Sequence, residues 1–199
     1  MTETILLVIL EQFADWEAAY VSTWLANIGQ GRYSVRTVSL TQEPVHSIGG
    51  LTVLPDFDLA SVPADYAGLI LVGGMSWRTE EAKQTAPLVH QALAAGRVVG
   101  GICDAAGFLA TLGVLDEVRH TGNDLADIQA WAGQAYHGQA NYLPQPAVRD
   151  GRIVTANGTA AMEFAREILL ALDVAPAEKL SEWYDFYKLG CYQAPMPTL

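Results

Sequence analysis

The sequence predicts an α/β fold in which a mostly parallel sheet is covered by helices on both faces. Several short segments are apolar at nearly every position, which is typical of strands that are buried on both faces. These segments alternate with longer amphipathic stretches, as strands and helices do in parallel sheets. In addition, a predicted strand passes into a predicted helix at Cys103 with almost no loop between them.

The residues before position 98 predict three strands, a ribbon and two helices. The strands are apolar runs or segments rich in Val and Thr, which favour extended backbone. Asp15 can cap the first helix, and Gly29 ends it. Paired glycines favour a hairpin or bulged ribbon. The predicted elements are a strand at 5–10, a helix at 15–27, a strand at 34–40, the ribbon at 45–54, a strand at 68–72 and a helix at 80–95.

The residues from position 98 onward predict the rest of the sheet and its helices. A turn signal at 149–152 joins two short strands. The predicted elements are a strand at 98–102, a helix at 105–112, strands at 146–148 and 153–155, and helices at 159–172 and 177–189. No repeat, low-complexity segment or linker interrupts them, so residues 1–199 are predicted to form one domain.

The composition narrows the classes of partner. A formal net charge of −11 disfavours nucleic acid and anionic membranes as partners. No apolar stretch approaches the ~18–20 residues that a membrane-spanning helix needs. The first residues lack the features of a signal peptide, and the two cysteines, Cys103 and Cys191, do not form a disulfide framework. We therefore expect a cytoplasmic protein whose partner is a small-molecule substrate.

Cys103 is the first candidate catalytic residue. Its neighbours Gly101, Ala105, Ala106 and Gly107 are small, as a tight turn from strand to helix requires. Such a turn, called a nucleophile elbow, strains the backbone and projects the side chain above the sheet. The N-terminal end of the following helix favours the thiolate. The alternative is a packed core thiol, because cysteine is among the most buried residue types.

A pair of glycines suggests an oxyanion site near this cysteine. The predicted strand at 68–72 ends at Gly73-Gly74, and ligands bind at the carboxyl edge of open parallel sheets. The backbone N–H groups of Gly74 and Asp104 are therefore candidate donors to an oxyanion. The alternative is that the two glycines only end the strand.

Glu17 is a candidate acid. It begins a helical stripe whose other members are apolar, at Val21, Trp24, Leu25 and Ile28. A carboxylate on such a stripe is costly without a partner, so burial can keep it protonated and able to donate to a thiolate. The alternative is an ordinary first-turn glutamate that interacts with the helix dipole.

No feature of the sequence predicts a metal or a cofactor. The cysteines and histidines do not have the spacing of metal ligands. The chain also lacks a glycine-rich loop of the kind that binds phosphate groups.

Taken together, these motifs resemble the DJ-1/PfpI superfamily over nearly the whole chain. Residues 13–17 (Phe-Ala-Asp-Trp-Glu) are similar to the family's entry into its first helix, and Gly73-Gly74 and the Cys103 elbow match in order and spacing. Residues 155–158 (Thr-Ala-Asn-Gly) resemble the family's closing strand. The resemblance implies a flavodoxin-like three-layer sandwich, often a homodimer. It also implies that Glu17 hydrogen-bonds Cys103 and that the N–H groups of Gly74 and Asp104 are the oxyanion donors.

The sequence departs from the family pattern at two positions. Members of the PfpI type carry His directly after the nucleophile, where this chain has Asp104, so peptidase activity is not predicted. DJ-1-like members place a His just beyond the elbow helix, and the nearest candidate here is His120. Aligned with those members, the chain has Thr121 in the position of the histidine. A His-Pro-Glu motif is absent downstream, so glutamine hydrolysis is not predicted either.

Three functions remain open at this point. In the first, the protein resembles intracellular protease/amidase-like members and is a hydrolase or lyase. Cys103 then attacks a small carbonyl, amide or isonitrile, and Glu17 or the Asp104 side chain moves the proton. In the second, Cys103 is a redox or stress sensor without turnover. In the third, the protein is a binding module that has kept the fold and lost the chemistry.

Overall fold

Nine strands appear in the structure, a computed structural model that describes residues 2–198. They are β1 (Glu3–Val8), β2 (Tyr33–Ser39), β3 (Val45–His46), β4 (Thr52–Val53), β5 (Phe57–Asp58), β6 (Gly68–Leu71), β7 (Val98–Ile102), β8 (Ala147–Asp150) and β9 (Ile153–Ala156). Seven form one sheet in the order β5-β2-β1-β6-β7-β9-β8. Only β8 and β9 pair antiparallel in that sheet, whereas β3 and β4 form a separate antiparallel ribbon.

Among the described residues, six α-helices cover the sheet on both faces. They are α1 (Asp15–Ile28), α2 (Ala86–Ala94), α3 (Asp104–Thr111), α4 (Leu125–Ala132), α5 (Ala161–Ala171) and α6 (Ala177–Leu189). One core lies between the sheet and α1, α5 and α6, and the other lies between the sheet and α2, α3 and α4. The predicted α/β class, with helices on both faces of a mostly parallel sheet, is confirmed. Within the described residues, none of the helices has both the length and the apolar character needed to cross a membrane.

The two cores explain why the central strands are apolar at every position. In β1, Ile5 and Leu7 point into the core of α1 and α5, whereas Leu6 and Val8 point into the core of α2 and α3. Successive side chains of a strand face opposite sides of the sheet, so both sets must be apolar when both faces are covered. The continuous runs in the sequence follow from this arrangement.

Some element boundaries differ from those that the sequence predicts. The helix predicted at 80–95 is a 3-10 turn (Glu81–Thr85) followed by α2, because Pro87 lies in the first turn of α2 and has no N–H to continue an earlier helix. Asp15 does not cap α1. Its carboxylate instead accepts hydrogen bonds from the Ser47 hydroxyl and, at 2.8 Å, from the Gly49 N–H, which attaches the β3–β4 ribbon to α1.

The parallel strands bring several sequence motifs to one edge of the sheet. The strands β1, β6, β7 and β9 are parallel to each other and adjacent, so their carboxyl ends lie side by side. The segments that follow them carry Glu17, Gly73-Gly74, Cys103 and Gly158, respectively. This edge is where ligands bind in open α/β sheets.

Candidate active site

The backbone of Cys103 has the strained conformation of an elbow. Its φ is +60° and its ψ is −132°, in a region that costs a non-glycine residue roughly 1–3 kcal/mol. Its N–H donates to the Ala156 carbonyl at 2.9 Å, and its carbonyl accepts from the Ala106 N–H at 3.0 Å. Hydrogen bonds to β9 and to the first turn of α3 thus hold the conformation. The side chain is half-buried rather than sealed in the core.

Glu17 lies against Cys103 beneath two glycines. Its side chain is fully buried, on the same helical stripe as the apolar residues of α1. A Cβ added to Gly158 would lie 2.9 Å from the Cys103 sulfur and 3.0 Å from Glu17 Oε1. A Cβ added to Gly73 would clash with Glu17 Oε2 and with Cys103 Cβ. The two functional side chains therefore meet in a space that exists only because positions 73 and 158 have no side chain.

Burial raises the pKa values of both groups. Burial raises the pKa of Glu17 to about 7, although the Cys103 side chain and the Gly73 N–H act to lower it. Burial also raises the pKa of the Cys103 thiol to about 11, and the negative charges of Glu17 and Asp104 add to that rise. Hydrogen bonds from Asn123 and from the Asp104 N–H oppose it. Because the two groups interact, these values describe two successive proton losses of the pair: the first proton leaves near pH 7, and one proton stays between Glu17 and Cys103 up to about pH 11.

Asn123 is the side chain that donates to the sulfur. Its Nδ2 lies 3.3 Å from Cys103 Sγ, and its Oδ1 accepts from the Gly158 N–H at 2.9 Å. The Gly158 N–H needs an acceptor, and this requirement orients the amide with its NH₂ group toward the sulfur. The indole of Trp16 donates to the Gly158 carbonyl at 2.9 Å, so both the N–H and the carbonyl of Gly158 are held by side chains.

Gly74 leaves its N–H without a protein acceptor within the described residues. The neighbouring hydrogen bonds run from Ala14 N–H to the Gly73 carbonyl at 3.0 Å and from Met75 N–H to the Gln12 carbonyl at 3.1 Å, which bypass Gly74 itself. Its φ of +150° and the close approach of Gln12 and Phe13 leave no room for a side chain.

The Asp104 side chain is engaged in an ion pair. Arg78 Nε donates to Asp104 Oδ2 at 2.8 Å, and Arg78 Nη2 donates to Oδ1 at 3.1 Å. The same guanidinium binds Asp127 at 2.6 Å and 3.1 Å. A carboxylate held in this way by Arg78 is a poor carrier of a proton. The backbone N–H of Asp104 acts to lower the pKa of the Cys103 thiol, because it stabilises negative charge on the sulfur.

Known proteins resemble this chain in sequence and in fold. The family model described as the DJ-1/PfpI family matches residues 3–171. The chain belongs to the DJ-1/PfpI family. It is 34% identical to a Bacillus subtilis protein named uncharacterized protease YoaZ, over 94% of this chain and 91% of the relative. A DJ-1 superfamily protein from Agrobacterium tumefaciens superimposes with a TM-score of 0.85 at 38% identity, over 95% of this chain and 99% of that chain. A thiJ/pfpI family protein from Bacillus anthracis superimposes with a TM-score of 0.86 at 34% identity, over 94% and 91%.

His120 does not reach the sulfur in this DJ-1/PfpI protein. It is fully buried, with its Nδ1 at 2.8 Å from the Val118 carbonyl and its Nε2 at 2.6 Å from the Tyr136 hydroxyl. Burial lowers its pKa. Thr121, in the position of the family's histidine, donates its hydroxyl to the Gln145 carbonyl at 2.8 Å. Both ring nitrogens of His120 are thus engaged away from Cys103, which corrects the expectation that this histidine belongs to the site.

Sequence reasoning missed Asn123 and Arg78. Asn123 lies just before α4, a helix that the sequence analysis did not predict, although Asp124 caps it by accepting from the Asp127 N–H at 2.8 Å. An Asn-Asp pair before an apolar helical run is a recognisable start signal for a helix. Arg78, which carries no such signal, reaches Asp104 only because the loop after β6 folds over α3. Within residues 2–198, no three His, Cys, Asp or Glu side chains are grouped so that they could hold a metal ion.

Proposed function

We propose that the protein is a cysteine-dependent hydrolase or lyase in which the Cys103 thiolate adds to a small electrophilic carbonyl, amide or isonitrile carbon. One observation carries this proposal. A fully buried carboxyl group, Glu17, faces a half-buried sulfur, and neither Glu17 oxygen has another hydrogen-bond partner of ordinary geometry within residues 2–198. A purely structural role does not explain a buried carboxyl group left in this state, because an unsatisfied polar group destabilises a fold.

The proton shared by the pair belongs on Glu17 in this proposal. The sulfur is faced by donors, namely the Asn123 amide and the Asp104 N–H at the start of α3. The Glu17 oxygens have no comparable set of hydrogen-bond donors, because apart from the Cys103 side chain only the Gly73 N–H acts on them. A negative charge is stabilised where donors and the positive end of a helix point. Among the states with one proton, thiolate and carboxylic acid is therefore the favoured one.

The chemical step follows from this distribution of charge. The thiolate electron pair forms a bond to the electrophilic carbon, and a π pair of the C=O or C≡N bond moves to the oxygen or nitrogen. In an isonitrile the attacked carbon keeps its own lone pair and is the atom that takes the proton. Glu17 then supplies its proton to the adduct or to the leaving group, becoming a carboxylate. For an amide, the amine leaves and water later cleaves the thioester, returning the proton to Glu17. The free N–H of Gly74 is suited to stabilise the developing oxyanion.

The surroundings of the sulfur favour a neutral substrate. Asp104 and Asp127 share a single arginine, so this side of the site carries a net negative charge. A pocket of about 360 Å³ opens beside Asn123, and the other residues that line it are uncharged: Thr121, Gly122, Tyr142, Pro144, Gln145, Pro146 and Asn157. An anionic substrate would meet like charge on its approach. The name of the Bacillus subtilis relative suggests proteolysis, but without a histidine at the sulfur we favour small substrates over peptides.

The test uses purified protein and its Cys103→Ala variant with glyoxals, small amides and isonitriles. We expect turnover of a neutral compound that the variant lacks, and slower turnover of a matched acid such as glyoxylate than of methylglyoxal. Cys191→Ser is the control, because Cys191 is the other cysteine, is exposed, and lies far from Cys103 along the chain. Equal behaviour of the native chain and Cys103→Ala on every compound would contradict the catalytic proposal.

A second candidate, a redox sensor, is favoured by the donors around Cys103. A sulfinate at this position would place its oxygens near the Asn123 amide and the protonated Glu17. A peroxide would supply each oxygen atom, with sulfur oxidised and the peroxide reduced to water. Mass spectrometry after mild peroxide treatment tests it. Selective addition of two oxygen atoms at Cys103, with Cys191 less modified, is the expected result, and an inert Cys103 contradicts it.

A further inference from the structure

Arg78 joins three elements at the rim of the site. It follows Trp77, whose indole is buried, donates to the Val72 carbonyl at 2.6 Å and packs against Phe108. This anchor fixes the loop after β6 over α3. The Arg78 guanidinium lies 4.6 Å from the centre of the Trp131 ring on α4. Its position is therefore fixed by packing as well as by charge.

The partner of Arg78 is the residue next to the nucleophile. Two parallel hydrogen bonds join the guanidinium to the Asp104 carboxylate, a geometry that is specific to arginine. The ionised Asp104 lies close enough to the pair to act on it, because its negative charge raises the pKa of both Cys103 and Glu17. An unpaired carboxylate at position 104 would thus oppose the thiolate.

We infer that Arg78 is a positioning residue that neutralises the Asp104 carboxylate and thereby keeps the Cys103 sulfur reactive. This inference rests on the thiolate of the proposed function. Histidine follows the nucleophile in members of the PfpI type, and a carboxylate there demands a compensating cation. The loop after β6 supplies that cation in this chain.

The charged groups near the sulfur come from four elements. They are Glu17 on α1, Arg78 in the loop after β6, Asp104 on α3 and Asp127 on α4. Asp127 binds the side of the Arg78 guanidinium that faces away from Asp104, and this contact orients the guanidinium toward Asp104. The same ion pair holds the pKa of Asp127 below its usual range. Farther along the same loop, Glu80 and Lys83 pair with each other.

The experiment measures how fast iodoacetamide alkylates Cys103 as a function of pH, in a Cys191→Ser background that leaves one thiol. We expect Arg78→Gln to raise the midpoint pH of the alkylation profile by about one unit, which slows alkylation about tenfold below the midpoint. Asp104→Asn should lower the midpoint. The double variant Arg78→Gln/Asp104→Asn should return it close to the background value, and Arg78→Lys should shift it less than Arg78→Gln.

A matched control is Arg36→Gln, which removes the same charge from a surface arginine on β2 that pairs with Asp56. It should leave the profile unchanged. A reactive Cys103 whose midpoint does not move in Arg78→Gln would overturn the inference alone, as would a shift that persists in the double variant. A Cys103 that is inert at every pH in the background would overturn the proposed function and this inference together. If Arg78→Gln does not fold, the Asp104→Asn variant tests the inference by itself. An alkylation midpoint in Asp104→Asn that is unchanged or higher than in the background contradicts the inference.

Discussion

Glu17 is a buried carboxyl group on a helix face that is otherwise apolar. Every other buried residue of α1 is apolar, so the fold itself has no use for a carboxyl group there. Burial raises its pKa from 4.5 to about 7, so ionising Glu17 costs about 3 kcal/mol more in the folded protein than in the unfolded chain. A group whose folded pKa is raised contributes full stability below its unfolded pKa and loses it as pH rises through the folded pKa.

One prediction at the residue scale follows from the raised pKa of Glu17. Between pH 5 and pH 8 the native chain should lose about 2–3 kcal/mol of unfolding free energy relative to Glu17→Gln, because unfolded Glu17 releases its proton near pH 4.5 whereas the folded pair of Glu17 and Cys103 releases its first proton near pH 7. Urea denaturation at the two pH values measures the difference. Asp58→Asn is the control, because Asp58 is a surface carboxylate whose pKa is lowered by Ser61. Parallel pH dependence of the native chain and Glu17→Gln would show that the carboxyl group is not buried as described.

At the scale of elements, a buried carboxylate on α5 makes the polar contacts between α5 and α6. Glu163 on α5 accepts a hydrogen bond from the Tyr184 hydroxyl at 2.7 Å and from Lys188 Nζ at 2.9 Å. Burial raises the pKa of Glu163, but the hydrogen bonds from Lys188 and Tyr184 outweigh burial and lower it. Leu180 is buried in the core, and Trp183 and Tyr184 pack against the same core, so these polar contacts add to an apolar interface.

We therefore predict that Glu163→Gln destabilises the protein by about 1–3 kcal/mol at pH 7, the usual range for a hydrogen bond to a charged group. Because the folded pKa is lowered, this contribution is complete above the unfolded value of 4.5 and disappears as pH falls through the folded value. Thermal unfolding at pH 7 and at acid pH measures both statements. Glu182→Gln, which breaks a surface pair with Lys179, should have almost no effect, and an equal loss in both variants would refute the prediction.

At the scale of the whole molecule, the homodimer implied by the family resemblance stays a prediction. Sedimentation equilibrium at micromolar concentration should give twice the chain mass of 21.4 kDa. A single species at the mass of one chain would contradict the homodimer. The family membership and the α/β sandwich would stand regardless, because they rest on matches along one chain.

The fold was largely predictable because it depends on local patterns. The last two helices, α5 and α6, lie close to where the amphipathic pattern predicts them, and the runs that form β1, β6 and β7 are unambiguous because both faces of the sheet are covered. The two-residue β5 and the helix α4 were missed, since neither has an apolar run long enough to stand out.

The sequence by itself determined the class of fold, the elbow at Cys103 and the buried stripe that carries Glu17, because each is encoded by residues that are close together along the chain. Only the tertiary structure decided what surrounds the sulfur. It directs the amide of Asn123 to the sulfur, turns His120 toward Tyr136 and binds Asp104 to Arg78. These contacts join residues far apart in sequence, and their geometry depends on how loops from different strands pack at the sheet edge, which no local pattern specifies.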